Sequence, residues 1–123
     1  MQRRGSERRR FVRVDDTLVA AVEPTGLPGT DGHTLNFSAG GVLLLLETVI
    51  AVGTPLRVVL RPDEDTDIAF DARVVRCRTQ SDRAHEIAAE FVGGSAADHR
   101  RLQDEISRRV GREPVPPLPP MTA

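Results

Sequence analysis

Two short runs hold the side chains best suited to chemistry. Arg8, Arg9, Arg10 and Arg13 surround Phe11 and Val12 near the start of the chain, and Asn36-Phe37-Ser38-Ala39-Gly40-Gly41 follows downstream. A guanidinium is a planar, permanently charged fork that pairs bidentately with phosphate or with the acceptor edge of a purine, and it stacks on base planes. The first run therefore supplies charge for an anion. In the second run Asn36 and Ser38 alternate with Phe37. An extended backbone sends those two polar side chains to one face and the ring to the other, into a core. Gly40 and Gly41 let the chain turn without a Cβ clash and admit a close ligand. Neither run makes a site alone, because the first lacks shape and the second lacks charge.

Charge distribution sharpens this reading. The formal net charge is −1, which argues against a protein coated for duplex DNA, and no DNA partner is expected. Residues 1–13 hold six Arg and one acid, Glu7, so this arm carries +5 and the rest of the chain −6. A basic arm on a mildly acidic body points to a local anion site. All 17 basic residues are Arg. With 123 residues and 39% hydrophobic content, the chain suits one domain with a core of Val, Leu, Ile and Ala, since aromatics amount to four Phe. A single cysteine, Cys77, forms no internal disulfide and fits a reducing compartment. The longest apolar run, Val42 to Leu46, is far too short to span a bilayer, and no signal peptide is evident. A cytoplasmic protein without membrane insertion is the expectation.

The elements that would position the two runs read as follows. Strands are expected over residues 14–22 and 34–37, and over 42–46, a stretch apolar on both faces and so read as covered on both sides. Further strands follow at Leu56/Val58/Leu60, from Ile68 to about Arg78, and at Ile87/Ala89/Phe91. Residues 24–32 read as a loop, 38–41 as a turn, 62–67 as an acidic turn and 80–83 as a polar turn. Ser95 and Asp98 match a capping box, with Asp98 answering the free amide. The stripe Leu102, Ile106, Val110 predicts a helix ending near Gly111. Six strands and one helix predict an all-β fold with one C-terminal helix, a small six-stranded antiparallel β-barrel that the helix plugs or flanks. The boundaries expected are a flexible basic arm over 1–7, a barrel domain over 8–111 and a disordered Pro-rich tail over 112–123.

Arg9 and Arg13 at RxxxR spacing, with Asn36, Ser38 and Gly41 as [D/N]xSxxG, resemble the paired motifs of the PilZ domain family. The order of elements over residues 8–111 is similar to that family's barrel and closing helix. The resemblance implies a non-enzymatic receptor for the bacterial second messenger cyclic di-GMP, with no other cofactor. By that likeness Arg8, Arg9 and Arg13 hold phosphates and guanine edges, and Asn36, Ser38 and Gly41 form the shelf for a guanine. Arg8, just before the motif, is associated in the family with uptake of a stacked ligand dimer. One departure is Ala88, where many members carry Gly. Ligand binding would order the arm, and an unknown protein effector would read the change.

Rival readings take the same residues differently. A barrel that serves only as an interaction adaptor would dock its partner on exposed strand surface or on the Pro-rich tail. Binding of RNA or single-stranded nucleic acid by the arm would want more stacking aromatics than Phe11 and Phe37. His33, His85 and His99 are scattered, without metal spacing, and His99 reads as a packing or surface residue. Ser38 has no identifiable base beside it, so nucleophilic catalysis is unsupported. Cys77 reads as buried filler.

Overall fold

A computed structural model describes residues 11–112, with side chains over 11–110. The elements are β1 (Val19–Pro24), β2 (Thr30–Phe37), β3 (Gly41–Leu46), β4 (Pro55–Asp63), β5 (Thr66–Ser81), β6 (Ala84–Gly93) and α1 (Ala96–Arg112). All paired strands are antiparallel, and they close into a barrel in the order β1-β2-β3-β6-β5-β4. Closure leaves no open sheet edge. The fold class is the one the sequence predicts.

Alternation explains the interior. Ala20 and Val22, Val42, Leu44 and Leu46, Leu56, Val58 and Leu60, Ile68, Phe70, Ala72 and Val74, and Ile87 and Ala89 all point inward and are buried. Leu102 and Ile106 of α1 join the same core, so the helix closes the barrel rather than lying apart. Phe70 links the two, stacked on Phe91 at 4.3 Å and edge-on to His99 at 4.9 Å. Each buried Val, Leu or Ile contributes roughly 1.5–3 kcal/mol. An exposed pair such as Arg57–Asp71 or Arg61–Asp67 contributes about 0–1 kcal/mol. The apolar interior, not the surface charge, holds the barrel.

Several boundaries differ from expectation, each for a local reason. The predicted first strand starts late because residues 15–18 bend around a buried Thr34. Its hydroxyl accepts from the Leu18 amide at 2.8 Å and donates to the Asp16 carbonyl at 2.7 Å. Val14 alone bridges to Phe37. The predicted loop over 24–32 yields its last three residues to β2, where Gly32 lies against the β3 backbone. The acidic turn narrows around Glu64 and Asp65, since β4 reaches Asp63 and β5 starts at Thr66, and β5 extends through Gln80 to Ser81. Residues 42–46 are covered on one face only: Leu43 and Leu45 are half-buried on the barrel's outside. Cys77 is half-buried rather than buried. The α1 cap forms at Ser95, whose Oγ accepts from the Asp98 amide at 3.0 Å, but the Asp98 carboxylate accepts from the Ser95 hydroxyl instead of from a free amide. Val110 is exposed at the end of the predicted stripe. The predicted arm over 1–7 and the tail beyond Arg112 lie outside the described residues. Among the described residues no helix is long and apolar enough to cross a membrane.

Candidate functional site

The segment entering the barrel is pinned one residue after Arg13. The Val14 amide donates to the Phe37 carbonyl at 2.8 Å, and the Phe37 amide returns a bond to Val14 at 3.0 Å. In this antiparallel bridge Arg13 falls opposite Ser38. A second tie comes from the helix. Arg109, largely buried, bonds both Asp16 and the buried Glu105. Burial works against the Arg109 charge, yet the hydrogen bonds it donates to Glu105 and Asp16 outweigh it and hold the guanidinium more firmly protonated than usual.

The turn after β2 is equally defined. The Ser38 amide donates to the Gly41 carbonyl at 2.9 Å, and the Gly40 amide donates to Ser38 Oγ at 3.1 Å. The hydroxyl proton is left to reach an outside acceptor. The Asn36 side chain makes no hydrogen bond among the described residues. The Phe11 ring lies over Gly40, where a Cβ would meet it at 2.7 Å. Gly41 lies against β6, where a Cβ would stand 2.5 Å from the Ala89 carbonyl oxygen. Its lack of a side chain thus serves strand contact, while its backbone also lines an open groove.

These pieces converge on one open groove of about 720 Å³ on the barrel's outer face. Arg13, Asn36, Ser38 and Gly41 line it, so the structure brings together four of the six expected site residues. Arg8 and Arg9 lie outside the described residues. Leu43 and Ala88 make an apolar floor, Phe11 stands beside it, and Val75, Arg76 and Glu90 add walls the sequence reading did not name. Asn36, Leu43, Ala88 and Arg76 sit in one cross-strand row, on β2, β3, β6 and β5 respectively. Ala88 places its methyl on that floor.

Arg76 faces the groove because of a bulge. Ile68, Phe70, Ala72 and Val74 point inward, so strict alternation would turn residue 76 inward too. The register slips between Val74 and Arg76, leaving Val75 extra and sending Arg76 outward. Among the described residues Arg13 and Arg76, like Arg78, Arg83 and Arg100 away from the groove, make no ion pair, while Arg57, Arg61, Arg73, Arg101, Arg108 and Arg109 do. The groove's arginines are thus both open to an outside anion or acceptor. Glu90, the one carboxylate among the described residues that line it, is neutralised by Arg73 at 2.6 Å.

The chain is thus a filled antiparallel barrel with a closing helix and an arginine-lined groove on its outer face. The PilZ domain family model matches residues 7–108, and the chain belongs to that family. Solved structures agree in fold. The chain is 24% identical to the inhibitor of motility MotI/DgrA of Bacillus subtilis, at a TM-score of 0.71, over 92% of this chain and 58% of that one. The PilZ domain of YcgR from Escherichia coli, solved with cyclic di-GMP, is 17% identical at a TM-score of 0.69, with 85% of this chain and 92% of that one covered. The MrkH–cyclic di-GMP complex of K. pneumonia is 17% identical at 0.64, over 89% of this chain and 53% of that one. The chain thus spans little more than half of MotI/DgrA and of MrkH. No curated protein matches it by sequence.

Proposed function

We propose that the groove binds cyclic di-GMP and that the protein is a cytoplasmic, non-enzymatic receptor for it. The observation that carries this reading is the convergence of Arg13, Asn36 and Ser38 on one groove, with their ligand-directed groups unoccupied by the protein itself. Asn36 and Ser38 hold the edge of one guanine, and Arg13 meets a phosphate through charge-assisted hydrogen bonds. Binding draws Arg8 and Arg9 onto the nucleotide together with Arg13. Ordering of that arm alters the surface beside the groove, and a protein partner reads the altered surface. The complexes of YcgR and MrkH with cyclic di-GMP support the ligand class.

Titration calorimetry of wild type and Arg13→Ala tests the reading. A hydrogen bond to a charged group contributes about 1.5–3 kcal/mol, so the substitution should weaken binding by roughly 10- to 150-fold. No heat from the wild-type protein at high micromolar nucleotide would end the proposal.

A further inference from the structure

We propose that Arg76 and Glu90 together read a guanine at the wall of the groove opposite Asn36 and Ser38, and so set its choice of base; this rests on the receptor reading above. Neither residue belongs to the two motifs found in the sequence. Both line the groove, from β5 and β6. Arg73 pairs with Glu90 across the strands, and Arg76 pairs with Ala88 two positions further along β6. Arg76 and Glu90 are therefore diagonal neighbours, about 7–8 Å apart along the sheet with their Cβ atoms somewhat closer, a gap that two long side chains can span to the edges of one flat base.

Their chemistry is complementary to one base. Guanine carries acceptors at O6 and N7 and donors at its ring N–H and exocyclic amine. A guanidinium meets the first pair bidentately, and a carboxylate accepts from the second. Adenine offers a donor where guanine has O6, which an arginine cannot accept. A phosphate would gain from Arg76 but not from a neighbouring carboxylate, so the mixed pair favours a base over a bare anion. Arg76 has no ion-pair partner among the described residues. Glu90 is bound through Oε2 alone to Arg73, leaving Oε1 for a ligand. Arg73 acts as the positioning residue, since it fixes the carboxylate and cancels its field toward the phosphates.

The separation suits a ligand with two bases. Asn36 and Arg76 are three strand spacings apart, about 14 Å at roughly 4.8 Å per spacing, with Leu43 and Ala88 as floor between them. A single guanine on Asn36 and Ser38 does not reach the far wall, whereas a molecule with a second guanine does.

The test is calorimetric titration of wild type, Arg76→Ala, Glu90→Gln and Arg13→Ala with cyclic di-GMP and cyclic di-AMP, with a melting curve for each variant. Arg76→Ala and Glu90→Gln should each weaken cyclic di-GMP binding about 10- to 100-fold and narrow its margin over cyclic di-AMP, with melting near that of wild type. Equal weakening toward both nucleotides would overturn base reading, because it marks a phosphate contact. Unchanged binding in both variants, alongside a loss in Arg13→Ala, would overturn the inference and leave the receptor reading standing. Absence of cyclic di-GMP binding by wild type would instead remove the receptor reading and this inference with it.

Discussion

Replacing Gly41 by Ala separates two explanations of a motif glycine. If Gly41 exists to admit a ligand, the substitution harms binding alone. The geometry argues for strand contact: the new methyl would stand 2.5 Å from the Ala89 carbonyl oxygen and 3.3 Å from the Glu90 Cα, where ordinary contact begins at 3.4 Å. Both obstacles are backbone, so β3 must withdraw from β6 by close to an ångström. The Phe91 amide, bonded to the Gly40 carbonyl at 3.0 Å, moves out of range. Overpacking a well-packed site costs about 1–3 kcal/mol, and a lost net hydrogen bond about 1 kcal/mol. A total near 2–4 kcal/mol lowers the melting temperature of a domain this size by roughly 10–25 °C. Scanning calorimetry of apo protein reads the effect directly. Melting within about 2 °C of wild type would refute the reasoning and return Gly41 to a ligand role.

Three further outcomes follow from the same structure. Arg109→Met strips the buried Glu105 of one partner, leaving Arg108 at 3.1 Å, and should cost about 2–4 kcal/mol in urea unfolding; Glu105→Gln in the same chain should restore part of it. Ala88→Leu fills the groove floor from the barrel's outer face, so it should abolish nucleotide binding in calorimetry while leaving the melting temperature close to wild type. Asp63 is held below the ordinary carboxylate value by the Asp65 amide, then by Thr66, so its contribution to stability is present above that value and lost as pH falls through the lowered one. Unfolding of Asp63→Asn measured across pH should therefore converge with wild type in acid and diverge toward neutrality.

The parts of this molecule that were legible in the sequence are those governed by simple period. Leu56, Val58 and Leu60, or Ile68 through Val74, alternate without interruption and gave both strands and their inward faces. Asn36 and Ser38 were placed rightly because Phe37 between them is an unmistakable core residue, wholly buried. What alternation could not convey was its own interruption. The bulge at Val75 carries no distinctive residue type, yet it reverses the phase of β5 and brings Arg76 to the groove. Thr34 was hidden for a related reason: a hydroxyl that serves both Leu18 and Asp16 depends on a bend no local pattern encodes. The Arg109–Asp16 contact spans most of the chain and has no signature at either end.

A barrel stuffed with its own side chains has nothing to give up inside and offers visitors only its rind. Recognition here is a coat of polar paint, three or four residues deep in sequence and one residue deep in space. Lineages can strip that paint or recolour it without disturbing the timber beneath. Since the core that holds the barrel together shares no side chain with Arg13, Asn36, Ser38 and Arg76, what the surface grips can change without altering what keeps the fold standing.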